Sequence, residues 1–144
     1  MKKIFMSIFL LSIILLVACS DNQEADLDAT FEGTQKIDVT YPQNNEILIT
    51  IADEKEIADF VKQLRLDNWK VEKTPADAAV EKEFKLYQTE TVKLDKSSSD
   101  KKELKEIGQF ITYKDIPYVD LQINKITFSF KVPEEVRNYL SDYK

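Results

Sequence analysis

The hydrophobic period changes along this chain, and those changes leave few architectures open. Ile37, Val39 and Tyr41 alternate with polar neighbours, as do Ile47, Ile49 and Ile51. Each set therefore shares one face of a strand, and Pro42 to Asn45 between them reads as a hairpin turn. The period then lengthens: Asp53, with Glu56 three residues on, makes a capping-box-like start, and Ile57, Phe60, Val61 and Leu64 recur at helical spacing. A helix with one apolar stripe must lay that stripe on a sheet.

From Trp69 the period returns to two. Trp69 and Val71 form a short strand before Thr74-Pro75, and Ala76 to Lys82 reads as a turn of helix or a loop. Phe84, Leu86, Gln88, Glu90, Val92 and Leu94 then alternate with Lys85, Tyr87, Thr89, Thr91 and Lys93, as one long strand or as two that meet near Gln88 to Glu90. Lys96 to Lys102 interrupts the pattern, because Ser97 to Asp100 offers nothing to bury. Further strands are expected at about Ile107 to Tyr113, Tyr118 to Ile123 and Ile126 to Lys131, the last two joined tightly around Asn124-Lys125. Pro133 suits a first helical position, Glu134 and Glu135 suit the positive end of a helix dipole, and Val136, Tyr139, Leu140 and Tyr143 share one face. Meandering strands with few helices predict an α+β fold: a mainly antiparallel sheet of about six or seven strands, one helix packed on a face and a short C-terminal helix. There is no internal repeat and no sign of a second domain.

The beginning of the chain has a different character. Lys2 and Lys3 lead into an apolar run from Ile4 to Val17, too short for a comfortable membrane span, which ends in Leu16-Val17-Ala18-Cys19. The run resembles a bacterial lipoprotein signal peptide, and these four residues match its lipobox at every position, with the one cysteine of the protein last. The resemblance implies a diacylglyceryl group on the Cys19 sulfur, cleavage between Ala18 and Cys19, and loss of residues 1–18. Two acyl chains, at roughly 0.8 kcal/mol per buried methylene, make detachment rare. The expected location is the outer face of the cytoplasmic membrane, with an outer membrane open if the source is diderm, since Ser20 follows the cysteine. The layout also resembles small single-domain lipoproteins of low-GC Gram-positive bacteria, a likeness of composition and order that carries no site residues.

Residues 19–33 read as a lipidated, flexible acidic tether, because Asp21, Glu24, Asp26, Asp28 and Glu32 bring one sign of charge and little to bury. Asp26 and Asp28 are followed by no Gly and Glu that would complete a calcium loop. The extracytoplasmic domain is expected at 34–144. Cleavage removes two lysines and no acid, leaving 18 basic against 26 acidic side chains. Such an acidic domain is a poor binder of nucleic acid or of an anionic membrane face. With Cys19 committed to lipid no disulfide forms, so packing alone must hold the fold.

The inventory of reactive groups is short. There is no histidine, which removes histidine-based triads and Cys/His zinc sites, and Gly33 and Gly108 are the only glycines, too few for a phosphate-cradling loop. Neither a metal nor a cofactor is expected. A carboxylate-dependent hydrolase would have to draw two acids from Glu81, Glu83, Glu90, Glu103, Glu106, Asp115 and Asp120. Ser97 to Ser99 has no evident activating base.

Aromatic side chains carry much of the energy of interfaces, and two tyrosines stand out as candidates for an interaction surface. Alternation sets Tyr87 on the face opposite Phe84 and Leu86, beside Lys85 and Thr89, and the turn Asp115 to Tyr118 projects Tyr118 from the sheet rim. The expected function is non-enzymatic: an interaction module, held at the membrane by its N-terminal lipid, that meets an envelope protein in an immunity-like or conjugation-exclusion role. Confinement at the membrane raises the effective concentration of a weak binder. A small-ligand or ion-binding lipoprotein, with a pocket under the 57–64 helix, is the alternative, and the atypical hydrolase is a second.

Overall fold

The computed structural model describes residues 27–89 and 103–143. The chain forms helix α1 (Leu27–Glu32), strands β1 (Lys36–Thr40) and β2 (Ile47–Ile51), and helix α2 (Glu54–Leu64). Strands β3 (Lys70–Val71), β4 (Val80–Thr89), β5 (Leu104–Tyr113), β6 (Tyr118–Ile123) and β7 (Ile126–Lys131) follow, and helix α3 (Glu134–Ser141) closes the order. The seven strands make one antiparallel sheet in the order β2-β1-β4-β5-β6-β7-β3. This is the α+β layout expected from the alternation.

The three described α-helices lay their buried side chains on the same face of the sheet. Phe84 and Phe110, cross-strand partners on β4 and β5, stack with ring centroids 4.4 Å apart and planes 8° from parallel. Phe60 from α2 lies against both, and Phe31 from α1 meets Phe110 edge-on at 6.0 Å. Val136 and Leu140 of α3 complete the layer with Ile37, Val39, Leu86, Val119 and Leu121 of the strands. Stacked and edge-on aromatic pairs of this kind add about 0.5 to 1.5 kcal/mol each beyond the area they bury.

The local chemistry explains the boundaries. Asp53 caps α2 through its side chain, accepting from the amides of Lys55 and Glu56 at 3.0 and 3.1 Å. At the other end Arg65 takes a left-handed conformation, and the Trp69 indole N–H donates 2.7 Å to the carbonyl of Leu64, satisfying a helix-end acceptor inside the core. Asn45, Asp115 and Asn124 supply the positive φ angles of the turns, residues that tolerate this region better than most. Gly108 lies where β5 passes close to the β6 backbone: a Cβ there would stand 2.7 Å from the carbonyl oxygen of Gln122.

Several expectations change. The flexible tether was expected to run to Gly33, yet Leu27–Glu32 is helical and Phe31 is 1% exposed, so the folded domain begins before residue 34. The reason is tertiary: the Phe31 ring finds Phe110, which no local pattern announces. β1 ends at Thr40, leaving Tyr41 exposed in the turn, and an extra residue in β2 interrupts the register between Val39 and Thr40. Val80–Lys82 belongs to β4 and not to a helical turn, and Pro133 is the N-cap of α3, which starts at Glu134. The signal segment, Cys19, the tether up to residue 26 and the stretch 90–102, with Glu90, Val92 and Leu94, lie outside the described residues. Among the described residues no helix is long and apolar enough to cross a membrane.

Candidate functional site

The described helices lie on one face, and among the described residues no helix lies on the other, which is lined by strand side chains. Parity along each strand decides which ones: Lys36 and Asp38 on β1, Glu83, Lys85 and Tyr87 on β4, Gln109, Ile111 and Tyr113 on β5, Tyr118, Asp120 and Gln122 on β6. This open face carries three tyrosines, and each is tied to a carboxylate.

Asp38 is the centre of the first group and is 3% exposed. Its Oδ2 accepts from the Lys36 ammonium at 2.7 Å and its Oδ1 from the Thr50 hydroxyl at 2.7 Å. The Lys36 ammonium also stands 4.2 Å from the centre of the Tyr87 ring. Burial raises the Tyr87 hydroxyl above its ordinary value of 10, the charges of Asp38 and Glu106 and a hydrogen bond to Asp38 raise it further, and Lys36 opposes them. The carboxylate thus holds the lysine, the lysine lies on the tyrosine, and the tyrosine returns to the carboxylate.

The second group repeats the plan at the far rim. The Tyr118 hydroxyl donates to Glu72, while Lys131 stands 3.8 Å from the same carboxylate and 5.8 Å from the Tyr118 ring centre. The hydrogen bond to Glu72 is the first cause of a raised Tyr118 hydroxyl. Between them, Asp120 accepts from Tyr113 at 2.7 Å and from Thr74 at 2.6 Å. Burial first, and then the Asp120 bond, push Tyr113 far above the usual range.

Tyr87 lies opposite Phe84 and Leu86, where alternation sets it, while Tyr118 is the first residue of β6 and not a projection of the turn; the two share the open face, but the structure does not bring them together. Tyr87 is level with Glu106 and Tyr118 with Tyr113, roughly 23 Å apart along β5 at 3.3 Å per residue. Sequence reasoning did not single out Asp38, Thr50, Thr74, Glu72 and Lys131, whose roles depend on cross-strand register. The one local signal was Lys36 two residues before Asp38, a spacing that puts both on one face of a strand.

Of the candidate acids for hydrolysis, Glu83 and Asp120 reach the open face on either side of Ile111, two strand spacings apart, and both oxygens of Asp120 are occupied by hydroxyl donors. Glu81 accepts from Ser141 at 2.9 Å near α3, Glu106 is on the open face but level with Tyr87, towards the opposite end of β5 from Asp120, and Glu103 and Asp115 are exposed. Among the described residues no three His, Cys, Asp or Glu side chains converge as a metal site would require.

A groove of about 850 Å³ lies in the helical layer, where α1 and the segment to Gln35 form one wall and α2 from Glu54 to Lys62 forms the other. Ile57, Ala58 and Val61 give it an apolar side, and Gln35 and Gln88 bring carboxamides to it.

Fold and surface together define a two-layer α+β domain in which, among the described residues, all the helices lie on one face of the sheet and the other face is rich in polar side chains. No family model, no curated protein and no solved structure matches the chain.

Proposed function

We propose that the protein is a lipoprotein held at the membrane through Cys19, and that its domain binds an envelope protein with the open face of the sheet. The observation that supports the surface is the bonding of its tyrosines. Tyr87 and Tyr118 are each held by a carboxylate, so they lose little freedom when a partner covers them, and the buried Tyr113 is fixed in the same way within the face. Aromatic anchors with a fixed position and a polar tip are the side chains from which interface energy is most readily drawn. The lipobox supports the anchor, and the anchor supplies local concentration to a binder of modest affinity.

The test is site-specific photocrosslinking in intact cells. Crosslinkers at Glu83 and Glu106 on the open face should trap one discrete integral-membrane protein, and crosslinkers at Gln63 and Asn138 in the helical layer should not. Cys19→Ser should abolish the adduct. Equal labelling from both layers, or no adduct from the sheet, counts against the reading. Where the adduct forms, toxin sensitivity and conjugation frequency in a deletion strain separate an immunity-like role from exclusion.

A further inference from the structure

The groove between α1 and α2 points to a second activity, separate from the open face and independent of the anchor. Its volume, about 850 Å³, falls within the roughly 300 to 1,000 Å³ of small-molecule sites. Three features of its walls define what it would hold.

The first is a set of charges: Glu32 stands on the α1 wall, and the α2 wall carries one charge of each sign. Glu54 and Lys62 both line the groove from α2, and neither forms an ion pair with another described residue. Eight residues apart on a helix, they stand about 12 Å apart along the axis at 1.5 Å per residue. A ligand lying along α2 would meet a carboxylate near one end and an ammonium near the other. The second is a pair of carboxamides. Gln88 is half-buried and its side chain is bonded to no other described residue; Gln35 uses its Oε1 to accept from the Thr89 amide at 3.0 Å, which leaves its NH₂ group. A primary carboxamide offers one acceptor and two donors, the complement of a peptide unit. Gly33 makes room for this arrangement, since a Cβ there would stand 2.4 Å from Nε2 of Gln88. The third is the apolar strip of Ala58 and Val61, which lies between Glu54 and Lys62 along α2.

We propose that this groove binds a short peptide with free termini, three or four residues long. An extended chain covers about 3.3 to 3.6 Å per residue, so this length matches the separation of Glu54 and Lys62. The ammonium terminus pairs with Glu54 and the carboxylate terminus with Lys62. Gln88 and Gln35 bond the backbone between them, and small apolar side chains lie on Ala58 and Val61.

The experiment is calorimetry of the full chain in detergent micelles with an unblocked tetrapeptide of alternating alanine and valine. Acetylating its N-terminus or amidating its C-terminus should each weaken binding about tenfold, the loss of one charge-assisted hydrogen bond. In Glu54→Gln the acetylated and free peptides should bind alike, and in Lys62→Met the amidated and free peptides should bind alike. Gln88→Leu should weaken every form, with circular dichroism unchanged. No binding at about 5 mM peptide, weaker than the range of specific ligands, would overturn the proposal. So would equal affinity for free and blocked peptides, or discrimination that survives in Glu54→Gln and Lys62→Met.

Discussion

The ammonium of Lys82 lies 3.2 Å from the carbonyl oxygen of Leu140, joining the middle of the sheet to the last turn of α3. It also donates to the carbonyls of Ser141 and Tyr143, with 2.6 Å to the latter. Lys82 is 3% exposed and shares the core-facing side of β4 with Phe84 and Leu86, a costly place for a cation. The carbonyls at the helix end offset that cost, because they carry the negative end of the dipole and lack intrahelical donors. Lys82→Met should therefore lower stability by about 2 to 4 kcal/mol, more than an exposed lysine would cost. Urea melts measure the loss, and a change below about 0.5 kcal/mol would contradict the clamp.

The domain should need its first described helix. A chain beginning at Leu27 keeps Phe31 against Phe110, whereas one beginning at Gly33 opens the core. The shorter chain should be less stable by about 3 to 5 kcal/mol, the usual cost of deleting a buried phenylalanine, and Phe31→Ala in the full chain should cost a similar amount. Denaturant melts of the two chains with equal midpoints would show that α1 contributes nothing.

Thr40 is 2% exposed, and its hydroxyl is the one buried side-chain polar atom among the described residues without a hydrogen-bond partner. Replacing it by the isosteric valine removes an unsatisfied group and keeps the shape. Thr40→Val should stabilise the protein by about 1 kcal/mol. A drop in the thermal midpoint would mean that the hydroxyl is satisfied in solution.

Alkali should destabilise the fold through its tyrosines. Burial is the leading cause that raises Tyr113 and Tyr139, helped by the hydrogen bond to Asp120 in one and to Tyr143 in the other. Above their ordinary value of 10 the unfolded chain has lost these protons and the native chain keeps them, so stability is unaffected below that pH and falls as pH rises beyond it. Absorbance of tyrosinate, followed alongside circular dichroism, should show Tyr113 and Tyr139 ionising only as the protein unfolds. In Asp120→Asn the Tyr113 hydroxyl should titrate lower than in the parent, with burial still holding it above 10.

Cys19→Ser should block lipidation and leave uncleaved precursor, because lipobox processing acts on the modified cysteine. Incorporation of labelled fatty acid decides it. A Cys19→Ser protein that still takes up label and is cut normally removes the anchor from the proposed function.

Strand and helix periods are local properties, so β1, β2, α2 and β5 to β7 were legible from spacing, with most ends off by a residue or two and the start of β5 at Leu104 in place of Ile107. Parity also put Tyr87 on the face opposite Phe84 and Leu86, since alternate residues of a strand must point apart. The same rule sets Lys82 inward beside Phe84 and makes no sense of it until α3 arrives from nearly sixty residues away. In the same way Leu27–Glu32 is too short and too acidic to announce a helix, and it becomes one because Phe31 is buried against β5. The pairing of Tyr118 with Glu72, of Tyr113 with Asp120, and of Gln88 with Gly33 across the groove likewise depends on register and layer packing. A sequence determines which side chains face together along one element. Only the tertiary fold decides which charges and hydroxyls meet between elements, because those partners are set by the burial of all the others.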